Sequence, residues 1–416
     1  MKTKFVLLIL VLFVIGCAPD KKVSVSNDEE SGVDVNSDLE NEPKQVIISN
    51  DGAIIIDVNS ALKKEPRYLE DMVESVELIP LETTEASIVG EGIRCMITDK
   101  YIYVQDIYEG FRGLVIFERN GKFVRRIFRG NGSTELPFFQ NVFYSDGYLY
   151  VYGAQKIAKY SSDGEFVDAQ TFRDNVVDIQ KVGNGFLAIQ PQYQNYQKQF
   201  KIIQYDSTFK QVSEKNLSPI PFPNAYKSLS CLDGVNCLIY RFADNNIYNY
   251  HDGDFKVKYR LEYPDYEYRL TYEDYDNLSQ DQQRSSSLYL RDNIGYGKLI
   301  FSGHLHNCED YLFIKMDAKV VWGGRIVFNK KTGKTWLCYN SRVAETIFSA
   351  MSESSSMDFV IGQKNSFAGD IECDEIDKCW KHNPNNLLSA KDIEILKNAK
   401  ADDNPIIVIY KLKDNL

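Results

Sequence analysis

The stretch Asp99-Lys-Tyr-Ile-Tyr-Val104, followed by Gly113-Leu-Val-Ile-Phe-Glu-Arg-Asn-Gly-Lys-Phe-Val124, decides the fold because the chain repeats it. The second copy is Asp146-Gly-Tyr-Leu-Tyr-Val151, followed by Ile157-Ala-Lys-Tyr-Ser-Ser-Asp-Gly-Glu-Phe-Val167. In both copies, two runs of alternating apolar residues come first. An Asn-Gly or Asp-Gly dipeptide follows, and then a third apolar run. Such alternation predicts half-buried strands, and these dipeptides favour tight hairpins because Asn and Gly accept positive φ.

Fainter copies of the repeat continue along the chain. They are Gly185–Ile189 with Phe200–Asp206, and Asn236–Tyr240 with Ile247–Asp254. The hairpin turns follow at a step of about 43 to 45 residues, near Asn120, Asp163, Ser207 and Asp252. A period of this length, with four short strands per unit, is typical of a β-propeller.

The repeats predict an all-β fold, a six-bladed propeller of four-stranded antiparallel blades. The first four blades cover about residues 88–128, 138–173, 174–218 and 226–264, and the fifth begins near residue 298. The sixth is expected to comprise Thr346–Met351, Met357–Ile361 and Pro405–Leu412.

The sixth blade lacks an outer strand in this layout, and the N-terminal part of the propeller supplies a candidate. Val73–Thr83 is a strand-like run with no partner of its own. Pairing it with the C-terminal strand would close the ring and cover two sheet edges that otherwise invite unwanted pairing. Ala53–Val58 is expected to add a preceding strand.

Two insertions interrupt the repeat, at about residues 264–297 and 367–404. In the second insertion the apolar spacing of Ser389–Lys400 predicts a short helix. Ser389 and Asp392 are placed as in a capping box at its start.

The first insertion contains a cluster of candidate ligand contacts, Tyr266, Tyr268, Arg269, Tyr272 and Tyr275. Their aromatic faces and cation suit stacking on sugar rings or gripping a peptide. Long loops on a rigid scaffold are a common place for binding. The alternative is that these side chains only pack the loop onto the propeller.

The N-terminus has the features of an export signal. Lys2 and Lys4 precede the apolar run Phe5–Ile15, which is too short to span a bilayer. The sequence Val14-Ile15-Gly16-Cys17 resembles the bacterial lipobox, and the resemblance implies cleavage before Cys17 and acylation of that residue. The alternative is an ordinary signal peptide with a chance cysteine. Several acyl chains would anchor the protein stably in a membrane.

The resulting domain organisation is a signal peptide over residues 1–16, a flexible tether over 17–50 and the propeller over 51–416. Residues 21–45 contain no aromatic side chain and are rich in Ser, Asn, Asp, Glu and Val. Such a segment buries too little apolar surface to offset the entropy lost on ordering. We expect a lipid-anchored protein of the outer membrane or cell surface, with the leaflet left open.

The charge balance argues against a nucleic-acid partner. The sequence contains 48 Lys and Arg against 59 Asp and Glu. Removal of Lys2 and Lys4 with the signal leaves 46 basic residues and a formal charge of −13. A net negative charge of this size disfavours binding to phosphate backbones.

With these features in place, the chain resembles the six-bladed β-propeller lipoproteins of Gram-negative bacteria, relatives of the NHL-repeat propellers. The resemblance covers nearly all of residues 53–416. It is carried by the lipobox, the run Ser75–Thr83, the blade with Tyr101, Phe117 and Asn120-Gly-Lys, and the ending Asp402–Lys413. Arg129–Glu135 departs from the Gly-Pro-Gly-Glu turn of that family. The resemblance implies a fold and an envelope location, without an agreed activity or site.

Enzyme motifs are sparse in this sequence. Gly-x-Ser-x-Gly, P-loop and His-Glu-x-x-His motifs do not occur, and no cofactor is implied. The weak metal candidates are His304, His306 and Cys308, which would share one face of a strand. Same-face residues of one strand lie roughly 6–7 Å apart, so a single metal would need a ligand from another blade. Ordinary packing or channel lining is the alternative.

Two cysteine pairs are candidates for disulfide bonds, which an exported protein can hold. Cys231 and Cys237 flank a predicted hairpin turn, whereas Cys373 and Cys379 enclose a short loop in the second insertion. We expect the second pair to form more readily because an insertion adjusts its backbone more easily than a blade does.

Two classes of function remain. The first is a binding or scaffolding propeller for a glycan, a peptide or an envelope protein. The alternative is a metal-dependent lyase or hydrolase with its site in the propeller channel. The sequence favours the binding role because no acid–base pair and no complete metal-ligand set can be assembled from it.

Overall fold

Six four-stranded antiparallel blades form a propeller in the computed structural model, as the repeat predicts. The structure describes residues 46–90, 93–106, 113–132, 134–171, 174–194, 197–217, 229–232, 234–268, 297–317, 324–349, 358–361, 363–373 and 376–414. Among these, no helix is long and apolar enough to cross a bilayer.

The N-terminal segment and the first three blades follow each other along the chain. The segment contains strands β1 (Ile54–Asp57), β2 (Arg67–Tyr68) and β3 (Val73–Pro80) and helices α1 (Val58–Lys63) and α2 (Leu69–Met72). Blade one has β4 (Ile93–Ile97), β5 (Tyr101–Asp106), β6 (Gly113–Glu118) and β7 (Phe123–Phe128). Blade two has β8 (Asn141–Ser145), β9 (Tyr148–Gly153), β10 (Lys156–Ser161) and β11 (Phe166–Thr171). Blade three has β12 (Asp178–Val182), β13 (Gly185–Gln194), β14 (Gln197–Tyr205) and β15 (Gln211–Asn216).

The remaining blades have the same order. Blade four has β16 (Leu229–Cys231), β17 (Cys237–Ile239), β18 (Asn246–His251) and β19 (Asp254–Glu262). Blade five has β20 (Ile300–Asn307), β21 (Tyr311–Asp317), β22 (Arg325–Asn329) and β23 (Thr335–Tyr339). Blade six has β24 (Asp358–Val360), β25 (Ser366–Ile371) and β26 (Ile406–Leu412). Helices α3 (Ile376–Cys379) and α4 (Ala390–Asn398) lie between β25 and β26.

The ring is closed by antiparallel pairing of β3 with β26, which confirms the predicted role of the N-terminal run. Leu78 lies opposite Val408 and Ile79 opposite Ile407, and all four side chains are buried. At the opposite edge of blade six, β24 and β4 pair in parallel and join blades six and one into one sheet. The closure therefore combines apolar packing with a continuous hydrogen-bonded ladder.

Hydrogen bonds of Asn404 connect the segment before β26 to the segment after β3. Its backbone N–H donates to Thr83 Oγ1 at 2.8 Å, and its Nδ2 donates to the carbonyls of Glu82 and Ser87 at 2.8 and 3.0 Å. Its Oδ1 accepts from the backbone N–H of Val89 at 2.9 Å. The side chain is buried, so these bonds replace the water that its amide would otherwise bind.

The segment before β3 forms a belt, residues 54–72, along the outer edges of two blades. Strand β1 pairs in parallel with β19 as a fifth strand of blade four, and β2 pairs in parallel with β23 as a fifth strand of blade five. The strand expected in Ala53–Val58 is therefore present, and it belongs to blade four. The belt covers two edges that could otherwise pair with other chains.

The sixth blade differs from its expected layout. Thr346–Ser349 forms a turn rather than the start of a strand, closed by a 2.9 Å bond from the Thr346 N–H to Ser349 Oγ. Strand β25 occupies residues 366–371, so the second insertion begins after Ile371 and not at Phe367. The sequence Ser-Phe-Ala-Gly-Asp-Ile has little β-propensity, and burial of every one of its residues in the blade outweighs that weakness.

The predicted helix in this insertion is confirmed as α4. Ser389 is its N-cap, and its side chain accepts from the N–H of Asp392 while the Asp392 carboxylate accepts from the N–H of Ser389. This reciprocal pair satisfies two donors that the first turn of a helix leaves open.

The pair that forms a disulfide is the one that was expected to form it less readily. Cys231 and Cys237 lie directly opposite each other on β16 and β17, with Cα atoms 4.2 Å apart, and form a disulfide. Cys373 and Cys379 remain thiols. Cys373 Sγ contacts the Asn404 carbonyl at 3.2 Å, and Cys379 is buried in the apolar cluster against which Cys373 packs.

We expect peptide mapping of non-reduced protein to find Cys231 linked to Cys237 and to find Cys373 and Cys379 alkylated after unfolding. Replacing Cys231 and Cys237 together by Ser should lower the free energy of unfolding by about 2 kcal/mol, as estimated for a short closed loop. A linked Cys373–Cys379 peptide would contradict this assignment.

A second prediction concerns Asp370, which is buried in β25. Burial, with a smaller contribution from the charge of Glu372, raises the pKa of Asp370 to about 6. A folded-state pKa above the ordinary value means that this residue contributes stability at low pH and loses it as the pH rises through about 6.

Asp370→Asn should therefore be more stable than the wild type at pH 8, by about 1–3 kcal/mol, with the difference shrinking towards pH 4. Urea denaturation at both pH values measures this difference. Asp254→Asn, at an exposed position of β19, is the control. A variant that is less stable than the wild type at pH 8 would disprove the assignment.

Candidate functional site

The first strand of every blade faces the centre of the ring, where the structure has a cavity of about 1200 Å³. All six blades contribute to its wall; one residue from each is Arg94, Tyr144, Gln180, Ser230, His304 and Val360. Ligand sites of proteins commonly occupy about 300–1000 Å³. The cavity, referred to below as the central channel, is therefore the candidate functional site.

Hydrogen bonds between neighbouring blades hold the channel wall in place. Asn141 of blade two donates through Nδ2 to Asp178 Oδ1 of blade three at 2.6 Å and to the Ile179 carbonyl at 2.7 Å. The backbone N–H of Leu229 in blade four donates to Asp178 Oδ2 at 2.8 Å. Asp178 is almost fully buried, so its charge depends on these donors. Three inner strands are fixed relative to one another by one carboxylate.

The channel wall carries more positive than negative side chains. Its seven cations are Arg94, Lys181, Lys258, Lys315, Arg325, Lys330 and Lys364. Its three carboxylates are Asp146, Asp178 and Glu309. The described wall thus has an excess of four positive charges, in a protein whose formal charge is −11.

Each of the three carboxylates already has partners. Asp146 forms an ion pair with Lys181, and Glu309 forms one with Lys364 at 2.6 Å. The carboxylate of Asp178 accepts the bonds between blades described above. The carboxylates are thus engaged at the rim of the wall and between its strands.

A group of basic side chains crosses blade five. His304 lies opposite Lys315 in the β20–β21 register, and Lys315 lies opposite Arg325 in the β21–β22 register. Although the His304 ring is surrounded by protein, it is open to water in the channel. Burial, and then the charges of Lys315 and of Arg94 on β4, lower the pKa of His304 to about 4. His304 is therefore neutral at neutral pH, beside side chains that remain charged.

Lys330 occupies the turn after β22. Its Nζ donates to Asn307 Oδ1 at 2.6 Å, to the Glu309 carbonyl at 3.2 Å and to the Cys308 carbonyl. Burial lowers the pKa of Lys330 to about 8, and the charge of Lys258 acts in the same direction. All three acceptors are uncharged oxygens, so they orient the ammonium group without neutralising it.

The structure separates the three candidate metal ligands of β20 and its following turn. His304 faces the channel, whereas the His306 ring lies 6.2 Å from the ring of Phe313 and 6.1 Å from that of Phe367. Cys308 is buried with Sγ 3.8 Å from the Ser366 carbonyl, and burial raises the pKa of its thiol to about 12. Within the described ranges, no three His, Cys, Asp or Glu side chains are arranged to hold a metal ion.

The tyrosine cluster of the first insertion is only partly described. Tyr266 packs against the apolar cluster of blades four and five, and its carbonyl accepts from the Leu299 N–H at 2.6 Å. The N–H of Tyr268 donates to the Leu299 carbonyl at 2.9 Å. Arg269, Tyr272 and Tyr275 lie outside the described residues, as does Cys17. The contacts of Tyr266 agree with the packing alternative for that residue.

The cations of the channel were not identified from the sequence. Arg94 and Lys181 lie on inner strands, so a search of those strands for basic residues could have found them. The others come from second, third and fourth strands or from turns, and their approach to the channel depends on the packing of whole blades. No spacing in the sequence marks them as a group.

Comparison with solved structures supports the architecture. A putative exported protein from Bacteroides fragilis has a TM-score of 0.61 at 15% sequence identity, over 86% of this chain and 100% of that one. A member of the DUF4221 family from Bacteroides vulgatus has a TM-score of 0.45 at 12% identity, over 83% of this chain and 98% of that one. At 15% identity, the likeness to the Bacteroides fragilis protein shows similarity of fold alone.

The sequence comparisons point to one family. No curated protein matches the chain. A family model described as a domain of unknown function, DUF4934, matches residues 53–411, which include all six blades and the closing strand. The chain therefore belongs to the DUF4934 family.

Proposed function

We propose that this protein is an exported, lipid-anchored propeller that binds a ligand in its central channel. The observation that carries the proposal is the cavity of about 1200 Å³, with walls from all six blades. A site on rigid strands loses little entropy when it binds, because its side chains are already positioned. The hydrogen bonds of Asp178 provide this rigidity on three of the blades.

The ligand is a small molecule or one end of a chain, such as an oligosaccharide or a peptide. A cavity enclosed by inner strands admits such a group and excludes a folded domain. We therefore propose binding in the channel rather than in the tyrosine cluster of the first insertion. For the alternative, a metal-dependent lyase or hydrolase, the described residues offer no group of three His, Cys, Asp or Glu side chains that could hold the metal ion.

Export is supported by the N-terminal sequence and by the name of the Bacteroides fragilis protein of similar fold, and anchoring by the N-terminal sequence alone. Cys17 would carry the lipid, and the segment up to residue 50 would connect it to the propeller. The relationship to NHL-repeat propellers stays a prediction.

Cys17→Ser should abolish acylation and release the protein from membranes. Metabolic labelling with a fatty acid and fractionation of cells expressing the full chain measure the two effects. Cys373→Ser, a cysteine of the propeller domain, is the matched control and should remain membrane-bound. Retention of the Cys17→Ser protein in the membrane fraction would contradict the anchor.

Filling the channel should abolish binding. Gln180→Trp places a large side chain on the inner strand of blade three, whereas Gln211→Trp makes the same change on the exposed outer strand of that blade. In a thermal-shift screen of neutral and acidic oligosaccharides and short peptides, compounds that stabilise the wild type should stabilise Gln211→Trp equally and Gln180→Trp little. Equal stabilisation of both variants, or of none of the three proteins, would contradict the channel as the binding site.

A further inference from the structure

We infer that the ligand of the central channel is a small molecule or chain end bearing at least two oxyanion groups, which are carboxylates, sulfates or phosphates. The inference rests on the proposed function and adds the chemistry of the ligand. It stands on the placement of the cations in the wall.

The charge of the wall differs from that of the chain as a whole. The sequence has more acidic than basic residues, yet the described wall has seven cations against three carboxylates. Fields from charges on low-dielectric walls are concentrated in a cleft and attract ions of the opposite sign. A channel with this lining therefore attracts anions, even though the protein repels them on average.

The cations approach the channel from separate blades. Arg94 comes from β4 of blade one, and Lys315 and Arg325 come from β21 and β22 of blade five. Arg325 donates to Asn340 Oδ1 at 2.6 Å, an uncharged acceptor that orients its guanidinium group. Arg94 and Lys315 both line the channel, and Lys315 lies opposite His304 in the β20–β21 register. A ligand in the channel can contact two blades at once.

Lys330 provides a second positive position on the wall. Its Nζ is held by three uncharged oxygens, and Lys258 also lines the channel. Two such positions in one cavity match a ligand with more than one anionic group.

A purely structural role explains only part of this lining. Lys181 and Lys364 have carboxylate partners, and Lys330 ties together the turn at Asn307–Glu309. Among the described residues, no hydrogen bond or ion pair involves the Arg94 side chain, although it is on an inner strand and lines the channel. Binding to membrane surfaces or nucleic acid does not account for the lining, because these charges face a cavity rather than an outer face.

Calorimetric titration of the purified propeller tests the inference with three anionic probes and one neutral probe. The anionic probes are trigalacturonate, a sulfated chondroitin disaccharide and inositol hexakisphosphate, which distinguish carboxylate, sulfate and phosphate. Maltotriose, an uncharged trisaccharide, is the control for trigalacturonate. We expect at least one anionic probe to bind the wild type, with affinity that falls as sodium chloride is added.

The variant Arg94→Met/Lys315→Met should weaken that binding by at least about tenfold, because it removes two charge-assisted contacts. Lys100→Met/Lys210→Met removes the same charge from exposed turns and should change the affinity less than about twofold. Arg94→Lys/Lys315→Arg keeps the charge and should retain most of the binding. The thermal midpoint of the Met double variant without ligand should stay close to that of the wild type, and this separates lost binding from misfolding.

The outcomes distinguish this inference from the proposed function. If maltotriose binds in a manner that Gln180→Trp abolishes while no anionic probe binds, the anion inference is wrong and the channel remains the site. If an anionic probe binds Gln180→Trp as well as it binds the wild type, the channel is not the site and both fail. If no anionic probe binds the wild type at low salt, the anion inference is overturned.

Discussion

The pairing of β3 with β26 is the constraint on which the rest of the structure depends. A ring of blades has no channel unless its first and last elements meet, and here strands from opposite ends of the domain form one ladder. Asn404 adds four hydrogen bonds between the segments that flank these strands. The angle between blades six and one is fixed at this closure, and the distances across the channel follow from it.

The belt extends this closure around part of the ring. Before the chain reaches β3, it adds parallel strands to blades four and five, and α2 is held to blade five by its acidic residues. Glu70 is buried and accepts from Arg342 and Ser341, while Asp71 pairs with Arg342 at 2.6 Å. Blades four and five therefore have added outer strands, and β3 completes blade six. The outer strands of blades four and five thus pair with belt residues that are far from them in sequence.

The sequence predicts what depends on local pattern. The Asn-Gly and Asp-Gly hairpins, the closing strand and the helix capped by Ser389 each carry their own signal within a dozen residues. Gly121 has φ of +89°, and a Cβ there would lie 2.1 Å from the Pro80 carbonyl, so this turn requires glycine both for its conformation and for its approach to β3. Local turn chemistry and long-range closure agree at this residue.

What the sequence could not predict depends on packing between distant segments. Strand β25 is fully buried, but it contains Gly369 and Asp370. Because both residues have poor strand propensity, the sequence pattern does not indicate a strand there. The separation of His306 and Cys308 from His304 follows from the way blade six packs on blade five. The cations of the channel have no common spacing because they come from different strand positions in different blades.

The opposite charges of the whole chain and the channel have a physical consequence for ligand entry. Charges on the outer surface are screened over about 10 Å at 0.1 M salt, so the net negative charge repels an approaching anion only at short range. Partly buried charges are screened less, and the field of the wall persists inside the channel. An anion that reaches a mouth of the propeller therefore gains energy by moving inward. Added salt weakens that gain by competing for the wall cations, and it also reduces the repulsion outside. The net effect on affinity is set by the wall, because a bound ligand is much nearer to Arg94 and Lys315 than to the acidic exterior.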